Sequence, residues 1–161
     1  MSEQNISIFD ALQIAKDAEL KSAAFYAEAV TKTTNPWGRN LFQLLTEFEN
    51  HHYQKLSDLE DSLRKKGAFI PYEGKKVAVS APSFGLDTRE ENPKSVLAIL
   101  KMALEIEVDA KKRYIALTHQ TTDPDGKAMF ETLAEEEAKH WTLLNNVFWS
   151  VNNQGLWSLP K

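Results

Sequence analysis

Two short stretches of the chain share the spacing Glu-x-x-His: Glu49-Asn50-His51-His52 and Glu137-Ala138-Lys139-His140. On an α-helix, three positions rotate by about 300° and rise about 4.5 Å. A carboxylate and an imidazole at that spacing therefore share one face, one turn apart, and can grip the same ion. Two further carboxylates, Glu19 and Glu107, stand 30 residues before Glu49 and Glu137 respectively. The chemistry such a set can do is metal chemistry. Four carboxylates match the charge of two divalent cations, and imidazole with carboxylate suits iron or manganese, with zinc as a frequent substitute. A single Glu-x-x-His carries little weight, since a solvated Glu beside a core His reads the same way. The chain has four His, and the two with a Glu at minus three fall at equivalent places of a repeat.

That repeat has an offset of 88 residues and needs no gap. Thr33-Thr34-x-Pro36-x-Gly38 falls on Thr121-Thr122-x-Pro124-x-Gly126. Phe42, Leu45, Glu47, Glu49, His52 and Leu56 fall on Phe130, Leu133, Glu135, Glu137, His140 and Leu144. Ten of the 24 pairs from 33/121 to 56/144 are identical. Further upstream, Leu12, Ala15, Glu19 and Tyr26 fall on Leu100, Ala103, Glu107 and Tyr114. Two helical hairpins about a pseudo-twofold axis are expected, with the duplicated Glu and His on the same inward stripe as the duplicated Phe and Leu. Burying four carboxylates without compensation is prohibitive, and no Lys or Arg is duplicated beside them. Tyr26 and Tyr114, seven residues after Glu19 and Glu107, share their faces and are candidates to hydrogen-bond metal-bound carboxylates; core packing explains them equally well. Glu47, Glu135 and Glu136 fall off the stripe and are expected in solvent. His51 and His119 have no duplicated partner and are expected at the surface, and the Trp residues are expected to pack.

The elements that must position these groups follow from apolar periodicity. Helices are expected at about 8–31, 39–66, 94–120 and 127–146. Short breaks at Thr33–Gly38 and Thr121–Gly126 join the helices of each half, while residues 68–92 carry Pro71, Gly74, Pro82 and Gly85 without a helical period. Residues 150–161 form a tail. Short, long and short connections give an all-α, antiparallel four-helix bundle of two repeated hairpins with a long crossover between helices 2 and 3, a wiring found in ferritin-like folds. One domain over 1–161 is expected from a chain of this length.

Composition narrows the functions. The 161 residues carry 19 Lys+Arg against 23 Asp+Glu, a net charge of -4, and no Cys. Disulfides, zinc knuckles, Cys-ligated iron–sulfur clusters, a rubredoxin-type centre and a thiol nucleophile are excluded. The mild acidity argues against nucleic acid as a partner. No apolar run reaches the 18 or so residues of a membrane span, and the first residues lack the basic and apolar regions of a signal peptide. A cytoplasmic protein is expected.

On these motifs the chain resembles the rubrerythrin branch of the ferritin-like superfamily. The resemblance runs from about Ile8 to Phe148 and rests on Glu19 with Phe25-Tyr26, the stretch Leu45 to His52, Glu107 with Tyr114, and the stretch Leu133 to His140. It implies that Glu49 and Glu137 bridge two iron ions, that Glu19 and His52 complete one position, and that Glu107 and His140 complete the other. It also implies reduction of hydrogen peroxide or reaction with dioxygen, in a homodimer. Two departures matter. The rubredoxin module of rubrerythrins needs Cys, so electrons are expected from an external donor such as a rubredoxin-like protein. Rubrerythrins carry an extra Glu three residues after the Glu of the third helix; here that position is Ala110, which leaves a more symmetric, bacterioferritin-like ligand set. The expected function is a di-iron oxidoreductase consuming peroxide or dioxygen. The alternative is a metal-binding protein that sequesters or delivers iron from the same site.

Overall fold

The computed structural model describes residues 7–75 and 88–157. Four helices form in chain order: α1 (Ile8–Lys32), α2 (Pro36–Lys66), α3 (Pro93–Gln120) and α4 (Pro124–Gln154). α1 packs along α2 and α3 along α4, giving two hairpins, and α1 also meets α3. The fold is the expected all-α bundle of two hairpins with a long connection between α2 and α3. The Val77-Ala78-Val79 run of that connection and the last residues of the tail lie outside the described residues. Among the described residues no helix is long and apolar enough to cross a membrane.

Local chemistry explains the helix ends. Ser7 caps α1 by accepting a hydrogen bond from the Asp10 N–H. Asn35 and Asp123 cap α2 and α4 in the same way, each followed by Pro at the first helical position. Proline is tolerated there because its missing N–H would have no partner in the first turn. Both helices therefore start three residues earlier than periodicity alone expects. α2 and α4 end on Gly67 (φ 62°) and Gly155 (φ 67°), whose N–H groups bond back to Leu63 and Val151.

These ends reveal that the repeat is longer than its identities. α2 and α4 are each 31 residues long, and their caps are separated by the same offset of 88. α4 thus runs to Gln154, eight residues past its expected end and into the expected tail. Two residues after each glycine cap stands an aromatic ring, Phe69 in one half and Trp157 in the other. Each ring lies on the glycine that opens the opposite long helix. A Cβ at Gly38 would sit 2.5 Å from the Trp157 ring, and one at Gly126 would sit 2.7 Å from the Phe69 ring.

Trp157 is also fixed by polar contacts. Its indole N–H donates to Glu90 (2.8 Å), and residues 88–90 pair with 155–157 through the Glu90 N–H to Gly155 O and Trp157 N–H to Thr88 O bonds, both 2.7 Å. Trp157 therefore packs, as expected of the tryptophans, whereas Trp141 and Trp149 stand 37% and 51% exposed. The covering of an apolar face needs only some of the large rings.

The core is split in two. One apolar cluster includes Tyr26, Phe42, Leu45, Leu100, Ala103, Leu144 and Trp157. The other includes Leu12, Ala15, Leu56, Tyr114, Phe130 and Leu133. Along every helix the stretch between the two clusters carries a Glu: Glu19 between Ala15 and Tyr26, Glu49 between Leu45 and Leu56, Glu107 between Ala103 and Tyr114, Glu137 between Leu133 and Leu144. A polar layer crosses the middle of the bundle.

Candidate metal centre

All six residues singled out by the repeat meet in that layer, and each is at most 1% exposed. They form two groups whose donor atoms lie within 4.8 Å of one another: Glu19, Glu49, His52 and Glu137, and Glu49, Glu107, Glu137 and His140. Glu49 and Glu137 belong to both. The helical spacing explains the convergence, since Glu-x-x-His on α2 and α4 turns both side chains inward beneath the apolar stripe.

Both imidazoles present Nδ1 to the carboxylates. His52 Nδ1 lies 2.8 Å from Glu137, 3.4 Å from Glu19 and 3.8 Å from Glu49. His140 Nδ1 lies 3.5 Å from Glu49, 3.6 Å from Glu107 and 3.7 Å from Glu137. Across the hairpins, Tyr26 Oη donates to Glu107 at 2.6 Å and Tyr114 Oη donates to Glu19. The tyrosines do bond carboxylates, each to the Glu of the other hairpin. Burial and the adjacent carboxylates push both phenols well above their ordinary pKa, so they remain protonated donors.

The cluster carries more charge than it can leave uncompensated. Burial, then the charges of Glu137, Glu19 and Glu107, pushes the Glu49 carboxyl well above the usual range. Burial and Glu137 push Glu107 up to about 8. Burial also opposes ionisation of Glu137, but the neighbouring Glu107 carboxyl and the charge of His52 outweigh it and hold this carboxyl low. Burial disfavours charged imidazoles, yet the surrounding carboxylates raise His52 and His140 well above the ordinary histidine value. The shifts of Glu49, Glu107, His52 and His140 all favour a retained proton, which offsets carboxylate charge in the layer.

Hydrogen bonding leaves this layer unfinished. Among the described residues, Glu19 Oε2, Glu49 Oε1, His52 Nδ1, Glu107 Oε2, both carboxylate oxygens of Glu137 and both ring nitrogens of His140 are buried without a well-aligned hydrogen bond, the close approach of His52 Nδ1 to Glu137 included. Buried polar atoms are almost always paired, and here all of these but His140 Nε2 lie on the side of the side chains where the donor atoms of the two groups converge. Two divalent cations would satisfy them and neutralise four carboxylates, so the residues present fit a di-metal centre.

One expectation fails. Glu136 is buried, 5% exposed, rather than solvated. It accepts from His52 Nε2 (2.6 Å), from the Tyr72 hydroxyl (2.8 and 3.0 Å) and from the Lys75 backbone N–H (2.5 Å). The reason is tertiary: the first residues of the crossover fold over this face of α4. Glu47, Glu135 and His119 are exposed as expected, and His51 is half-buried beside Tyr72. Ala110 is buried in α3 and brings no carboxylate to the layer.

A family model described as the ferritin-like domain matches residues 7–149. No curated protein and no solved structure gives a significant match. With its two hairpins, its crossover and its buried carboxylate–histidine layer, the chain belongs to the ferritin-like domain family.

Proposed function

We propose that this protein is a di-iron oxidoreductase of the rubrerythrin type, reducing hydrogen peroxide or dioxygen with electrons from an external donor. The observation that carries the reading is the pair of overlapping four-residue groups sharing Glu49 and Glu137, with their unpaired donor atoms aimed inward. Glu19 and His52 would hold one ion, Glu107 and His140 the other, and Glu49 and Glu137 both. Two ferrous ions in that seat supply one electron each, the two that cleavage of an O–O bond requires.

The rest is the work of the chain. Peroxide accepts two electrons and two protons to give two waters. Four buried carboxylates would offset the charge of the ions held there. Tyr26 and Tyr114 donate to one oxygen of Glu107 and of Glu19, which fixes the orientation of these carboxylates. The apolar clusters at either end keep bulk water from the layer, which strengthens every electrostatic interaction within it. With no Cys in the sequence, the electrons that restore the reduced state come from another molecule, and a rubredoxin-like protein is the donor proposed. A homodimer is proposed on family resemblance alone.

Anaerobic loading with Fe(II), metal counting and an absorbance trace after one equivalent of peroxide test the reading. Two irons per chain, and many turnovers with a reductase and donor, are expected. A single stoichiometric oxidation would instead support iron sequestration or delivery. An unfolding temperature unchanged by Fe(II) or Mn(II) would remove the metal centre altogether, because an ion that binds the native state must stabilise it.

A further inference from the structure

The pseudo-twofold axis relates Glu136 to Phe48, and at this pair the two halves of the metal layer stop matching. Glu136 approaches the ring of His52 and pairs with its Nε2. Phe48 approaches the ring of His140, with centroids 4.5 Å apart and planes perpendicular. His140 Nε2 is accordingly buried without a hydrogen-bond partner among the described residues. Each terminal carboxylate carries a tyrosine from the other hairpin, while the nearest carboxylate lies 2.8 Å from His52 Nδ1 and 3.5 Å from His140 Nδ1.

The crossover completes the difference. Glu136 is held by the Tyr72 hydroxyl and by the Lys75 N–H. Gly74, at φ 87°, brings that backbone close: a Cβ there would sit 2.9 Å from Glu136 Oε1. The Lys75 ammonium meanwhile lies over the Phe48 ring, 5.5 Å from its centre. One short strap thus touches both members of the mismatched pair and bonds only one of them.

We propose that the two metal positions are unequal, and that the strap formed by Tyr72, Gly74 and Lys75 makes the His52 position the tighter one by clamping Glu136 against the His52 ring. The inference rests on the di-metal reading of this layer. A histidine that binds a cation through Nδ1 carries its proton on Nε2. A carboxylate accepting that proton's hydrogen bond fixes the tautomer and the ring and raises the basicity of the ligating nitrogen, an effect worth about 10–100-fold in metal affinity. Among the described residues, His52 has this partner and His140 does not. Glu136 and Tyr72 act here as positioning residues, working through His52.

Two neighbouring cations repel, so unequal filling of the intact layer would prove nothing by itself. The test isolates the positions. His140→Ala leaves the His52 position, and His52→Ala leaves the His140 position. Mn(II) affinity, read from the paramagnetic resonance signal of the free ion, is expected to be about 10–100-fold tighter in His140→Ala. Adding Glu136→Gln or Tyr72→Phe should weaken Mn(II) binding in the His140→Ala chain and leave the His52→Ala chain unchanged. Should Glu136→Gln lose helicity, the half-buried Tyr72→Phe carries the comparison. Equal affinities in the two single-position chains, or equal losses in both backgrounds, overturn the proposal while leaving the metal centre standing. A parent chain that takes up no Mn(II) overturns the metal centre itself.

Discussion

Tyr26 on α1 hydrogen-bonds Glu107 on α3 at 2.6 Å, although the Glu of its own helix, Glu19, lies only two turns away. Tyr114 reciprocates by bonding Glu19. The two bonds tie the hairpins together at the level of the buried carboxylate–histidine layer. Tyr26→Phe leaves a buried carboxylate oxygen of Glu107 without its donor, a loss of about 1–3 kcal/mol. Chemical denaturation of the metal-free chain measures it, and a change within error would show that the bond contributes nothing.

Glu49 and Glu137 belong to both four-residue groups, whereas Glu19 and Glu107 belong to one each. Glu49→Ala or Glu137→Ala should therefore depress both positions, lower metal content well below two per chain and abolish peroxide-driven oxidation. Glu19→Ala should impair one. Iron counting after anaerobic reconstitution separates these patterns; full loading and turnover in Glu49→Ala would contradict the assignment.

The metal-free chain should lose stability as pH rises. The folded state raises Glu107 from 4.5 to about 8, and raises Glu49, His52 and His140 as well. It therefore binds more protons than the unfolded chain. The contribution of Glu107 is complete below pH 4.5 and disappears as pH rises through about 8. Glu137 has the opposite sign, but its contribution is lost only at pH well below 4.5. The unfolding temperature of metal-free protein should fall across this window, and Mn(II) should flatten the profile by replacing the protons. A metal-free profile that rises with pH would count against this account.

Trp157 and Phe69 occupy equivalent places after the two glycine caps, but Trp157 is 2% exposed and Phe69 only partly buried. Trp157→Ala opens a cavity beside Gly38 and leaves Glu90 without its indole donor, at a cost of about 3–5 kcal/mol. Phe69→Ala should cost less. Thermal melts of the two variants rank them, and an equal loss would show that the two ends of the bundle are secured alike.

The bundle and the convergence of six polar residues in its middle were legible because the repeat duplicates the polar residues along with the apolar ones, so each half checks the other. The failures lie where the halves differ or where tertiary cover intervenes. Glu136 looks solvent-facing on α4 alone, since nothing in that helix reveals the strap that covers it. A signal was nonetheless present: its counterpart is Phe48, an inward apolar residue of α2. The end of α4 was hidden by the Asn-rich segment before Gln154, which favours helix poorly. The pairing of Gly67 with Gly155 in the sequence places that end correctly. No such device could have shown that Tyr72 reaches Glu136, because that contact joins a segment without periodicity to a distant helix.

Joining both halves in one polypeptide has an evolutionary consequence. A pair of identical hairpins related by true symmetry must accept every substitution twice, once in each copy. Here Phe48 and Glu136 occupy equivalent positions yet are encoded separately, so each can change alone. Carrying both halves in one polypeptide lets one side of a pseudo-symmetric layer differ from the other.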